Sequence, residues 1–114
     1  MDIMEHLNVI REKAYWSKIL DYNFISTFYE EFSISDHYGV DGVREHYKMV
    51  FNEWKDNYRF LTELTLVLNI KIWSWFKLND ELGLVYDELW KETDSYALKH
   101  LKGEELDYYL TTLD

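Results

Sequence analysis

Apolar residues return every three to four positions along most of this chain, the period of a helix that buries one face. In residues 3–20, Ile3, Leu7, Ile10 and Ala14, with Trp16 and Leu20 close by, fall near one helical face. Asp2 with Glu5 three residues on resembles a capping box with Asp in place of Ser or Thr. Phe24, Ile25, Phe28, Tyr29 and Phe32 extend the pattern over 22–33, and a kink near Asp21 would join the two segments. The Ser, Asp and Gly residues of 33–42 mark a connection with room for a short helical turn. Asp41 then suits the N-cap of a helix over 42–56, where Val43, Tyr47, Val50, Phe51 and Trp54 form an amphipathic stripe.

Residues 58–77 admit two readings. Leu61, Leu64, Leu68, Ile72 and Trp75 suit one face of a helix, whereas Leu66, Leu68, Ile70 and Ile72 alternate as in a strand over 65–76. Length favours the helix, because strands usually span about five or six residues and no pairing partner is evident. A helix apolar on most sides belongs at the centre of a bundle.

The next helix has the clearest signals. Asn79 is a natural N-cap, Asp80 and Glu81 complement the helix dipole, and Leu82, Val85, Tyr86, Leu89, Trp90, Ala97 and Leu101 form the stripe. Lys99 and Lys102 stand in its expected last turn, and Gly103 is placed to end it in a left-handed conformation. A brief connection at 77–79 folds it antiparallel to its predecessor. A last helix over 104–112 offers Leu106, Tyr109, Leu110 and Leu113 to the core. The expected fold is all-α: one domain over 1–114, a compact bundle of about five helices around a mostly buried central helix at 58–77.

Composition narrows this picture. There is no proline and no cysteine, and no stretch reads as a linker or a repeat. Disulfides, thiol nucleophiles and thiolate metal sites are thereby excluded. Five Trp, ten Tyr and six Phe in 114 residues oppose disorder and supply large core side chains. The first residues carry no basic stretch followed by an apolar one, and no apolar run approaches the roughly 20 residues of a membrane span. A cytoplasmic protein is expected.

The net charge is −10, and residues 80–114 hold ten acids against three bases. Such a surface repels nucleic acid and anionic membranes, so the expected partner is a basic protein. Asp80, Asp87 and Asp94 are seven apart and stack along one helix face at steps of about 10.5 Å, with Glu88 and Glu92 beside them. Asp107, Tyr108 and Tyr109 add a carboxylate and two aromatic anchors near the C-terminus. The competing explanation is a solvated outer face that keeps an aromatic-rich protein soluble.

Catalytic chemistry has no visible seat. His6, His37, His46 and His100 lack the Glu-x-x-His and His-Glu-x-x-His patterns of metal sites, and surface or capping roles suit them. No glycine-rich phosphate loop or Gly-x-Ser-x-Gly turn occurs. Neither a cofactor nor a catalytic residue is expected.

The stretches Phe51-Asn52-Glu53-Trp54, Thr62-Glu63-Leu64, Leu66-Val67-Leu68-Asn69 and Gly103-Glu104-Glu105-Leu106 resemble small uncharacterised proteins of bacterial phages and conjugative elements. The resemblance covers about half the chain and carries no catalytic motif, and it implies a mobile-element accessory protein. In size and acidity the chain is also similar to anti-restriction and anti-CRISPR proteins. The expected role is a non-enzymatic interaction protein that presents an acidic helical face to a basic partner. Its sharpest form is a nucleic-acid mimic that inhibits a host nuclease or defence protein. The alternatives are a homo-oligomeric helical assembly module, with a homodimer as its simplest form, and a bundle that binds a small molecule or metal.

Overall fold

The computed structural model describes residues 24–75 and 77–113. The helix expected over 3–20 lies outside the described residues. Among them the chain forms five α-helices: α1 (Phe24–Ser35), α2 (Gly39–Trp54), α3 (Tyr58–Trp75), α4 (Asp80–His100) and α5 (Glu104–Leu113). A single 3-10 turn, Asp36–Tyr38, joins α1 to α2. No strand occurs among the described residues.

The strand alternative over 65–76 is therefore resolved as helix. Leu64, Val67, Leu68 and Ile72 point inward, whereas Ile70 is 42% exposed. That partition has the period of a helix and not the alternation of a strand. Polar residues inside α3 are tolerated because their hydroxyls turn back on the helix. Thr62 Oγ1 donates to the Tyr58 carbonyl at 2.7 Å and Thr65 Oγ1 to the Leu61 carbonyl at 2.9 Å.

Local signals set the helix ends. Asn57 Oδ1 accepts from the amides of Arg59 at 3.1 Å and Phe60 at 3.3 Å, capping α3. Asn79 caps α4 as expected, accepting from the Leu82 amide at 3.1 Å. Three boundaries differ from expectation. First, α1 runs on into the 3-10 turn, so 33–42 is mostly helical. Second, α2 begins at Gly39, whose φ of +71° makes the break that glycine tolerates. Asp41 therefore sits inside the first turn, where its charge complements the dipole, and does not cap. Third, α4 ends at His100, and Gly103 (φ +60°) instead stands before α5, its carbonyl accepting from the Asp107 amide at 3.0 Å.

Helix α3 is central, packing against α1, α4 and α5 and more narrowly against α2. It runs antiparallel to α4, so Leu61 meets Ala97 while Ile72 packs towards Leu82. The larger core joins α1, α2, α3 and α4 around Phe28, Phe32, Tyr47, Trp54, Leu64, Leu68 and Tyr86. A smaller one sits under α5, where Tyr109 is fully buried against Leu61, Ala97 and Leu101. Leu110, expected in this core, is 45% exposed, because Tyr109 occupies the inward direction of that turn.

Candidate functional site

The acids expected to form a row on α4 divide into groups. Asp80 and Glu92 are exposed, and with Glu81 they make no ion pair among the described residues. Asp87 pairs with Lys91 at 2.9 Å on the same helix. Glu88 Oε2 reaches Arg44 Nη1 of α2 at 2.6 Å. Asp94 turns towards α5 and accepts the Tyr109 hydroxyl at 2.7 Å. An α-helix drifts by about 20° in each seven-residue step, so Asp94 has rotated out of the line that Asp80 begins.

Near the C-terminus Asp107 is exposed, and Tyr108 is 36% exposed with its ring edge-on to Tyr58, centroids 5.3 Å apart. Tyr109 is not a surface anchor. Its ring is fully buried, and burial, then the Asp94 hydrogen bond, raises its phenol pKa. Neighbouring helix residues project about 100° apart, and here Tyr108 takes the outer direction while Tyr109 takes the inner one.

Two leucines of α4 stand open to solvent beside these acids. Leu84 is 60% exposed and Leu98 is 51% exposed. They lie fourteen residues apart on the solvent face of α4, about 21 Å along its axis. Leu84 borders a groove of about 370 Å³ between α2 and α4, with Val40, Val85, Arg44, Glu81 and Glu88 around it. A smaller groove of about 120 Å³ adjoins Arg44, Tyr47, Lys48, Leu89 and Glu92. The outer surface of α4 thus alternates carboxylates with open apolar side chains. Their exposure depends on how α2 and α5 pack, which no spacing rule reports.

A second polar centre lies where the ends of α1 and α3 meet α4. The Asp36 carboxylate accepts from Lys71 Nζ at 2.6 Å, Trp75 Nε1 at 2.9 Å and the Tyr86 hydroxyl. Lys71 Nζ also donates to Ser33 Oγ at 3.2 Å and lies 4.9 Å from the Tyr29 ring centroid and 5.6 Å from that of Tyr86. Burial and the Asp36 charge push the Tyr86 phenol pKa well above its ordinary range. The side chains of Lys71 and Asp36 are only 3% and 5% exposed. Beside them opens a cleft of about 290 Å³ lined also by His37, Ser74 and Leu78. Asp36 and Lys71 are engaged with each other and with protein donors, rings and a hydroxyl, so the pair ties the helices together.

His46, expected at the surface, is fully buried. It falls on the same inward stripe of α2 as Val43, Tyr47 and Val50. Its Nδ1 lies 2.6 Å from Ser35 Oγ, its ring packs 4.4 Å from Phe32, and its Nε2 faces Glu31 Oε2 at 3.9 Å. Desolvation lowers its pKa to about 3. The imidazole is thus part of the packing between α1 and α2. His37 is exposed on the 3-10 turn, so the two histidines occupy different environments.

Among the described residues, no group of three or more His, Asp or Glu side chains is arranged to hold a metal ion. None of the described helices is long and apolar enough to cross a membrane. No protein-family model, curated protein or solved structure matches the chain. The site itself must therefore carry the functional reading.

Proposed function

We propose that this is a non-enzymatic interaction protein that docks a basic partner protein on the outer face of α4. One observation carries the proposal: Leu84 and Leu98 stand 60% and 51% exposed among Glu81, Glu88 and Glu92 on one helix. Open leucines ringed by carboxylates suit a partner that brings apolar side chains flanked by Lys or Arg. The leucines would supply the contact that excludes water, and the carboxylates would steer approach and select charge. A strict imitation of a phosphate track is less well supported, because Asp94 leaves the row and Arg44 neutralises Glu88. Membership among mobile-element accessory proteins is compatible with this role.

The test is affinity capture from the native cells with the wild-type chain and a Leu84→Ser/Glu92→Gln/Leu98→Ser variant. Unchanged helical dichroism would establish that the variant is folded. The wild type should retain a basic protein that the variant loses, and higher salt should weaken retention. Equal capture by both chains would refute the docking face.

A further inference from the structure

We propose that the groove of about 370 Å³ between α2 and α4 takes a single arginine side chain of the basic partner, a refinement that rests on the docking role of α4. Its floor and rim are aliphatic: Val85 is buried, Val40 is half-buried and Leu84 stands open at the edge. Its carboxylates lie on one wall. Glu81 and Glu88 are both exposed and seven residues apart on α4, so they mark positions about 10.5 Å apart along the groove.

The two positions differ in charge. At one, Arg44 of α2 reaches across to Glu88 at 2.6 Å and closes that end with a neutral pair. At the other, Glu81 makes no ion pair among the described residues. The aliphatic floor, the closed end and the free carboxylate together specify the occupant. A leucine would use the floor and leave Glu81 idle, and an acidic side chain would be repelled by Glu81. Lysine would bring a compact, strongly hydrated point charge. Arginine satisfies both features: its aliphatic stem lies along apolar surface, and its weakly hydrated fork donates two parallel N–H bonds to one carboxylate. Arg44 repels a second cation, so the guanidinium turns to the Glu81 end.

The experiment titrates the full, isotope-labelled chain with synthetic helical peptides alike except at one position, which carries arginine, lysine, citrulline or norleucine. Backbone amide shifts report where each binds and how tightly. The arginine peptide should shift Val40, Leu84, Val85 and their neighbours. Citrulline keeps the shape of arginine without its charge and should bind about two- to fivefold more weakly, the effect of one exposed ion pair. Glu81→Gln should lose the same factor and erase the difference between arginine and citrulline. Arg44→Met frees Glu88 for a second contact and should tighten the arginine peptide by a similar factor. Glu81 also complements the dipole of α4, so the thermal midpoint of the glutamine variant is measured alongside to show that it is folded.

Shifts absent from Val40 and Val85 at the highest soluble peptide concentration overturn the proposal. So does norleucine or lysine binding as tightly as arginine, or a preference for arginine over citrulline that survives Glu81→Gln. This failure is distinct from that of the docking face. Shifts confined to Glu92 and Leu98 leave the docking face standing and remove the arginine pocket. Arginine-selective shifts in the groove, with native capture unchanged in the Leu84→Ser/Glu92→Gln/Leu98→Ser variant, remove the docking face and leave the pocket.

Discussion

Removing the Asp36 carboxylate should be strongly destabilising. In Asp36→Ala the Lys71 ammonium, only 3% exposed, keeps the Ser33 hydroxyl and the faces of Tyr29, Trp75 and Tyr86 but loses its counter-charge. Trp75 Nε1 loses its acceptor too, while the Tyr86 hydroxyl retains the Phe32 carbonyl at 3.4 Å. Breaking a buried pair from one side typically costs about 3–5 kcal/mol. The three rings still stabilise the cation by roughly 0.5–2 kcal/mol each at most, which favours the lower end. A loss of about 3 kcal/mol is expected, and at roughly 4 °C per kcal/mol the midpoint should fall by about 12 °C. Urea unfolding followed by dichroism at constant pH measures the free energy, and a thermal scan measures the midpoint. The double variant Asp36→Leu/Lys71→Met removes both charges and should recover most of that loss, because a buried pair and a matched apolar pair are often similar in stability. A cost below about 1 kcal/mol for Asp36→Ala, or a double variant no better than the single, would refute the claim that this pair fastens α1 and α3 to α4.

Other consequences follow from single contacts. His46 must stay neutral in the fold at a pKa of about 3, against 6.5 unfolded, so its contribution is intact above pH 6.5 and is lost as pH falls towards 3. Between pH 6 and 5 stability should fall by up to about 1 kcal/mol per pH unit from this group, and urea midpoints of a His46→Leu variant should show a shallower slope. Gly103→Ala should cost about 1–2 kcal/mol from its positive φ alone, since an added Cβ meets nothing within 4 Å; thermal unfolding reads this directly. Tyr109→Phe removes the hydroxyl that binds Asp94 and should cost about 1–2 kcal/mol, with faster amide exchange concentrated in α5. Asn79→Ala should cost about 1 kcal/mol and fray the first turn of α4 in the same exchange experiment.

Much of the architecture was legible because local rules and tertiary packing agree. The stripe of Val43, Tyr47, Val50 and Trp54 and the cap at Asn79 specify their helices without help from the rest of the chain. Gly103 is recognisable as a left-handed residue, but which helix it serves is not, because α4 stops and α5 starts within three residues of it. The candidate surface was less legible. Spacing placed Asp80, Asp87 and Asp94 on one side, yet slow rotation of the row and the inward pull of Tyr109 removed Asp94. The polar centre is not legible in the sequence because Asp36 and Lys71 are 35 residues apart and only the fold brings them together. His46 sits at an inward position of its stripe, so helical spacing indicates its burial even though its polarity suggests exposure.

The α4 docking face can be tested most directly by single-thiol footprinting with the captured basic partner. A cysteine placed at Leu84, at Leu98 or, as a control, at Asn69 on α3 is the only thiol in an otherwise cysteine-free chain. On adding partner, alkylation at 84 and 98 should slow markedly while that at 69 stays unchanged. Protection confined to 69, or none at 84 and 98 with the partner bound, would contradict the proposal.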